Sequence, residues 1–237
     1  MMQKHVGWLA MGLLLPMMAA AQPVSGVYLG GGAGVEFGNM LQASNNPTQI
    51  GRAAGPVGLV DLGWGFGNGF RAEIEGSERS NAVNKISAPQ VDQSIAALSN
   101  LKGGSSTRAL MANLAYDIPV PFIGTPYIGV GMGRSWLNFN NANGQGLLGV
   151  GNPGTVAFGS GGAFAYQAMV GTSMPLLVPG FDLTLEYRYF GTDGVNVPVT
   201  RVSLPGAING FSNLQHNSFA LHDSALMVGF RYSFAAP

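Results

Sequence analysis

The 237-residue chain has no cysteine and very little charge. Without cysteine, neither a disulfide framework nor a thiolate metal site can form. Only 9% of the residues are charged, against about 25% in an average soluble domain. A soluble surface so poor in charge would not keep the protein dispersed, whereas a wall facing lipid has no such need. Eleven basic residues balance eleven acidic ones, and this neutrality excludes the basic surface that nucleic acid requires.

Long apolar runs are scarce as well. One stands at the N-terminus, where Lys4 and His5 precede Val6 to Ala20 and Ala19-Ala20-Ala21 lead into Gln22. A short basic stretch, an apolar stretch and small residues at a cleavage point form a secretory signal peptide. The run is a little shorter than the roughly 18–20 residues of a membrane anchor. The expected division is a signal peptide over residues 1–21 and one domain over 22–237. The nearest other apolar stretch, Met174 to Phe181, is broken by Pro175 and Pro179, so no transmembrane helix is expected.

Alternation is plentiful. Phe181, Leu183, Leu185, Tyr187 and Tyr189 alternate with Asp182, Thr184, Glu186 and Arg188; Leu226, Val228, Phe230, Tyr232 and Phe234 alternate with Met227, Gly229, Arg231 and Ser233. Period 2 marks a strand with one apolar face. Eight such segments are expected: Val24–Phe37, Ala54–Phe66, Phe70–Ala82, Ser105–Asp117, Thr125–Phe139, Gly161–Met174, Phe181–Thr192 and Ser218–Phe234. Each exceeds the roughly 9–11 residues with which a tilted strand crosses the hydrocarbon.

The connections order them. Gly67-Asn68-Gly69, Ile118–Gly124 and Pro175–Gly180 are short turns; Gly38–Ala53, Val83–Gly104, Asn140–Ser160 and Asp193–Asn217 are longer and rich in Asn, Gly, Ser and Gln. Short and long alternate strictly, as in membrane barrels with long extracellular loops and short periplasmic turns. A short helix is expected over Val91 to Leu101 in the second loop. The fold expected is all-β: an eight-stranded antiparallel transmembrane up-and-down barrel with four extracellular loops, three periplasmic turns and both ends periplasmic.

Glycine, 37 residues of the chain, fits an interior just wide enough for side chains. Gly30/Gly32/Gly34, Gly63/Gly65 and Gly129/Gly131/Gly133 each share one face, opposite Val27, Leu29 and Val35, then Leu62, Trp64 and Phe66, then Ile128, Val130 and Met132. Strand phase sends Arg71, Glu73, Glu75, Glu186, Arg188 and Arg231 inward with the glycines, together with Asp61 and Gln167. Trp64, Phe66, Phe70, Tyr116, Tyr127, Trp136, Tyr166, Phe181, Tyr232 and Phe234 gather toward strand ends, as interfacial girdles do. A soluble barrel of the lipocalin or streptavidin kind would place its charges outside and its apolar residues inside. The pattern here is the reverse.

Ala225 to Phe234, Thr125 to Gly133 and Leu185 to Thr192 resemble strands of OmpA-type and related small outer-membrane β-barrels of Gram-negative bacteria. The resemblance implies residence in the outer membrane, contact with its lipids and lipopolysaccharide, and assembly by the barrel-assembly machinery reading Phe230, Tyr232 and Phe234 in the closing strand. Phe234 is followed by Ala235-Ala236-Pro237, where two-domain relatives carry a linker to a peptidoglycan-binding domain. The expectation is a barrel-only member or a truncated sequence, and peptidoglycan attachment is not carried over.

Chemistry is thinly signalled. The glycine runs lack the strand-turn-helix setting and Lys-Ser/Thr ending of a phosphate loop. His216 and His222 are each followed two residues later by serine, Ser218 and Ser224, which places each pair on one strand face as a nucleophile and base require. Outer-membrane lipid A deacylases have such a pair, but the surrounding residues differ and no orienting acid is evident. No catalytic residue, metal site or cofactor is expected. Inward arginine and glutamate either line a pore or pair into a plug, and a barrel this narrow favours the plug. The expected role is a structural barrel supporting outer-membrane integrity with loops free for contacts. The alternative is a narrow porin-like channel, and a lipid-modifying hydrolase is a distant third.

Overall fold

The computed structural model describes residues 23–38, 41–42, 49–87, 99–120, 124–139, 142–145, 153–158, 160–197, 199–203 and 217–234. The expected signal peptide lies outside them. Eight long strands make the wall: β1 (Ser25–Phe37), β2 (Gly55–Phe66), β3 (Phe70–Ser87), β4 (Ser99–Asp117), β5 (Thr125–Phe139), β6 (Ser160–Pro175), β7 (Phe181–Thr192) and β8 (His222–Ser233). Each pairs antiparallel with its neighbours in sequence. Strand β1 also pairs with β8, from Tyr28 opposite Ser233 to Phe37 opposite Ser224. The ladder therefore closes, leaving no edge within the wall, as a bilayer demands of a sheet that crosses it.

The turns form for local reasons. Gly67 and Gly69 adopt φ of 74° and 96° between β2 and β3, a conformation that costs glycine nothing. Asn68 fixes the turn, its side-chain oxygen accepting the Phe70 N–H at 3.1 Å. Between β6 and β7 the Leu176 N–H donates to the Phe181 carbonyl at 2.8 Å.

At the opposite end the wall rises further than alternation indicated. Strand β3 continues five residues past Ala82, and β4 begins six residues before Ser105. Gln49–Arg52 pairs with the upper end of β3, Ala142–Gln145 with the start of β4, and Pro153–Phe158 with both Ala142–Gln145 and Val199–Ser203. Above the lipid both faces of a strand can be polar, so the ladder persists while its hydrophobic period vanishes. Of the helix expected over Val91–Leu101, residues 91–98 lie outside the described residues, and 99–101 belong to β4.

The two faces separate as the glycine phase requires. Leu62, Trp64, Ile128, Val130, Met132, Val228 and Phe230 are exposed on the outer wall. Inside, a Cβ on Gly63 would strike the Tyr28 ring, and one on Gly34 the Leu226 backbone. Aromatic rings meet near the turns, Phe70 with Tyr116 at 4.8 Å between centroids and Phe181 with Tyr232 at 4.6 Å. Phe230 and Phe234, two of the closing-strand residues, are exposed on that wall. Tyr127 is a correction: it belongs to no girdle but is buried in the lumen, because its odd position on β5 shares the phase of Gly129 and Gly131.

Candidate functional site

Three tiers of charge fill the lumen. Nearest the turns, Arg71 lies between Asp117 and Glu73, its Nε 3.0 Å from Asp117 Oδ1 and its Nη1 2.6 Å from Glu73 Oε1. The Tyr28 hydroxyl donates to the same Glu73 oxygen at 2.6 Å. The Arg71 guanidinium also stands 5.0 Å from the centre of the Tyr127 ring, within cation–π range. Across the tier Arg231 donates to Asp182 at 2.7 Å and to Ser173 at 3.0 Å.

In the middle tier Arg188 bridges two carboxylates on opposite sides, Glu75 at 2.5 Å and Glu186 at 2.8 Å. The second Glu75 oxygen accepts from Asn113 at 2.9 Å, and Gln167 donates to Asn113 at 2.7 Å. Tyr127 donates to Glu186 at 2.9 Å. All six residues expected to carry the lumen charge are thus brought together, along with Gln167.

The uppermost tier holds Glu36, Arg52, Arg79 and Asp223, whose side chains are no more than 1% exposed. Arg79 Nε lies 2.9 Å from Glu36 Oε2, and Arg52 pairs closely with Asp223. Neither Glu36 oxygen has an aligned hydrogen bond, so its attraction to the arginines is coulombic. Sequence reasoning missed this tier, and missed Asp117 and Asp182. Five of the six were in reach. Glu36 shares the phase of Gly30, Gly32 and Gly34, Arg79 that of Arg71 and Glu75, Asp182 that of Arg188, Asp223 that of Arg231, and Asp117 closes β4 on the phase of Asn113. Arg52 gave no signal, because it stands in a polar segment read as loop.

Among the described residues, eight carboxylates (Glu36, Asp61, Glu73, Glu75, Asp117, Asp182, Glu186 and Asp223) therefore share the interior with five arginines (Arg52, Arg71, Arg79, Arg188 and Arg231), all five in ion pairs. Asp61 has no ion pair or hydrogen bond among the described residues and sits where any Cβ on Gly30 would meet its carboxylate. Beside it Tyr28, Glu73, Glu186, Arg188 and Arg231 enclose a cavity of about 50 Å³. That is room for a few waters and too little for a solute.

The serine–histidine pairs lie elsewhere. His222 and Ser224 both sit on the outer face of β8, with Tyr189 Oη 2.8 Å from His222 Nδ1 and the Tyr187 hydroxyl donating to Ser224 at 2.9 Å. Asp223 between them points into the lumen toward Arg52. His216 lies outside the described residues. Among the described residues no group of three or more His, Cys, Asp or Glu side chains is placed to hold a metal ion.

Residues 8–234 match the family model for the outer membrane protein beta-barrel domain. An outer membrane protein of Gluconacetobacter diazotrophicus is 31% identical in an alignment 238 positions long that covers 92% of this chain. The chain spans 60% of that relative's length. Among solved structures, Neisserial surface protein A aligns over 89% of this chain and 99% of its own at 18% identity, with a TM-score of 0.48. OprG from Pseudomonas aeruginosa aligns over 90% and 98% at 13% identity, with a TM-score of 0.49. With 227 of its residues under that family model and a closed wall of eight antiparallel strands, the chain belongs to the outer-membrane β-barrel domain family and resides in the outer membrane.

Proposed function

We propose that the protein is a structural barrel, sealed along its axis, that supports outer-membrane integrity and holds its polar loops at the cell surface. One observation carries this reading: five buried arginines at three heights of the lumen are all paired with carboxylates. An ion crossing such a lumen would have to part pairs whose members are desolvated, and buried charges left without partners are costly. Lipid and lipopolysaccharide surround the wall in this reading, and the barrel-assembly machinery inserts it using Phe230, Tyr232 and Phe234. No enzymatic step is assigned.

A narrow channel is the second reading, and the surplus of carboxylates over arginines favours it. Rings of acidic side chains select cations, and Asp61 faces the cavity with no ionic partner among the described residues. Single-channel recording of the refolded protein in planar bilayers separates the two. The sealed barrel gives a baseline with at most rare openings. A steady cation-selective current removes it in favour of the channel.

A further inference from the structure

The lipid-facing wall carries charge in one place. Among the described side chains of that wall, the charged ones are Glu78, Arg108 and Arg134, on the adjacent strands β3, β4 and β5. Glu78 stands directly across from Arg108, and Arg108 across from Trp136. Arg134 opposes Leu110 one rung below and is exposed, with no ion pair among the described residues. Arg108 keeps 66% of its side chain exposed despite its 3.3 Å approach to Glu78. Trp136 is 42% exposed.

Height matters here. Arg108 lies eight residues along β4 from Tyr116, which marks the periplasmic girdle. With a rise of about 3.3 Å per residue and a tilt of about 40°, that is roughly 20 Å, near the top of an apolar band about 25 Å tall. Arg108 and Trp136 thus stand near the level where the outer leaflet's headgroups begin, and Arg134, one rung lower, can reach it with its long side chain.

The wall beside them is hollowed. Gly162 lies across from Trp136, and a Cβ there would come 3.4 Å from Trp136 Cδ1 and 3.6 Å from Arg134 Nε. On the other side of Arg108, a shallow, open groove runs over Gly58, Val60 and Gly76, lined also by Glu78 and Arg108. Neither glycine is forced by packing. A Cβ on Gly76 would touch nothing within 4 Å, and one on Gly58 only the Gly32 carbonyl at 3.9 Å. The inward glycines Gly30, Gly63 and Gly34, by contrast, are crowded by Asp61, Tyr28 and backbone in turn. The missing side chains at 58 and 76 therefore shape the surface.

We propose that this face seats one phosphorylated lipid of the outer leaflet, of the lipid A type. Its phosphate lies between Arg108 and Arg134, its sugar packs against Trp136, and an acyl chain runs down the groove over Gly58 and Gly76. Guanidinium is suited to this task, because it meets phosphate oxygens with paired donors. The seat is independent of whether the lumen conducts.

Native mass spectrometry of the barrel in detergent micelles, titrated with bisphosphorylated lipid A, tests it. Wild type retains one lipid. The double variant Arg108→Gln/Arg134→Gln binds about tenfold or more weakly, the loss expected when charge-assisted contacts to phosphate are removed. Dephosphorylated lipid A on wild type shows the same loss, and this arm needs no variant to fold. A large excess of inorganic phosphate leaves the lipid in place. Equal affinity for the dephosphorylated lipid, wild-type affinity in the double variant, or displacement by inorganic phosphate each overturns the proposal, the last by showing a free-anion site only. Filling the groove with Gly58→Leu/Gly76→Leu weakens binding with both arginines intact, and unchanged binding there overturns the acyl-chain placement.

Discussion

The Arg79 guanidinium carbon sits 3.8 Å from the centre of the Phe190 ring while its Nε stands 2.9 Å from Glu36. One buried cation is thus held by a carboxylate on one side and a ring face on the other. Cation–π contacts gain strength when water is excluded, so the pair anchors the top of the lumen. Arg79→Ala removes both contacts and leaves Glu36 facing Arg52 alone at 3.7 Å. The expected loss is on the order of 3–5 kcal/mol if Glu36 stays dry. Urea unfolding in lipid vesicles measures it. Arg79→Met with Glu36→Gln recovers most of the loss, since swapping a buried pair for uncharged groups is often neutral. A double variant as unstable as Arg79→Ala would show that the Glu36 charge is not what makes the single change costly.

The glycines of the wall divide into inward ones that packing requires, such as Gly63, and outward ones that it does not, such as Gly76. Gly63→Ala drives a methyl into the Tyr28 ring, which is tied to Glu73 and Arg71 by hydrogen bonds of 2.6 and 3.2 Å. The ring must shift or the strands part, at a cost of about 1–3 kcal/mol. Gly76→Ala is the same chemical change on a neighbouring strand with open space around it, and should stay within about 0.5 kcal/mol of wild type. Equal effects in the same unfolding assay would mean that interior crowding does not set the glycine pattern.

The wall was legible because lipid imposes a rule that the sequence must obey residue by residue. Leu62, Trp64 and Phe66 cannot face inward while Gly63 and Gly65 face out, and this phase carried the lumen assignment through Arg71, Glu75, Arg188 and Arg231. Where lipid ends the rule lapses. The upper reach of β3 and the strand at Gln49–Arg52 carry only isolated apolar residues, Val83, Ile86 and Ile50, too few to set an apolar period, so their pairing could not be read, and Arg52 went unseen with it. Tyr127 failed for a different reason. Aromatic residues near strand ends suit both a girdle and a lumen, and only the position's parity, odd like Gly129, decides between them. Glu36 and Arg79 obeyed the parity that placed their neighbours, so the uppermost tier was readable in kind if not in its geometry.

Topology can be read with thiols, because the chain contains no cysteine of its own. Asn68 is exposed in the β2–β3 turn, and Asn196 is exposed in the short strand Val195–Val197 beyond β7. Loop length places the first on the periplasmic side and the second outside. A membrane-impermeant maleimide added to intact cells should label Asn196→Cys and leave Asn68→Cys untouched until the outer membrane is opened. Labelling of Asn68→Cys in intact cells would reverse the orientation of the barrel.

Among the described residues Arg188 is the one cation that joins opposite walls in the middle tier, reaching Glu75 on β3 and Glu186 on its own strand. Arg188→Ala leaves Glu186 on the water-sized cavity with Asp61, which has no ionic partner among the described residues, and leaves Glu75 directly across the ladder from Asp61. The wall should survive, because every strand stays hydrogen-bonded on both edges and the closed ladder does not depend on the lumen. Three clustered carboxylates cannot remain dry and unpaired, so water and cations enter. The variant should therefore conduct more than wild type in planar bilayers, with a reversal potential displaced toward the cation under a salt gradient. Arg231→Ala disturbs a rim pair whose Asp182 partner is already 20% exposed, so its effect on current should be smaller. If wild type and Arg188→Ala pass the same current and differ only in selectivity, the middle tier does not block the lumen. The sealed barrel would then give way to the channel.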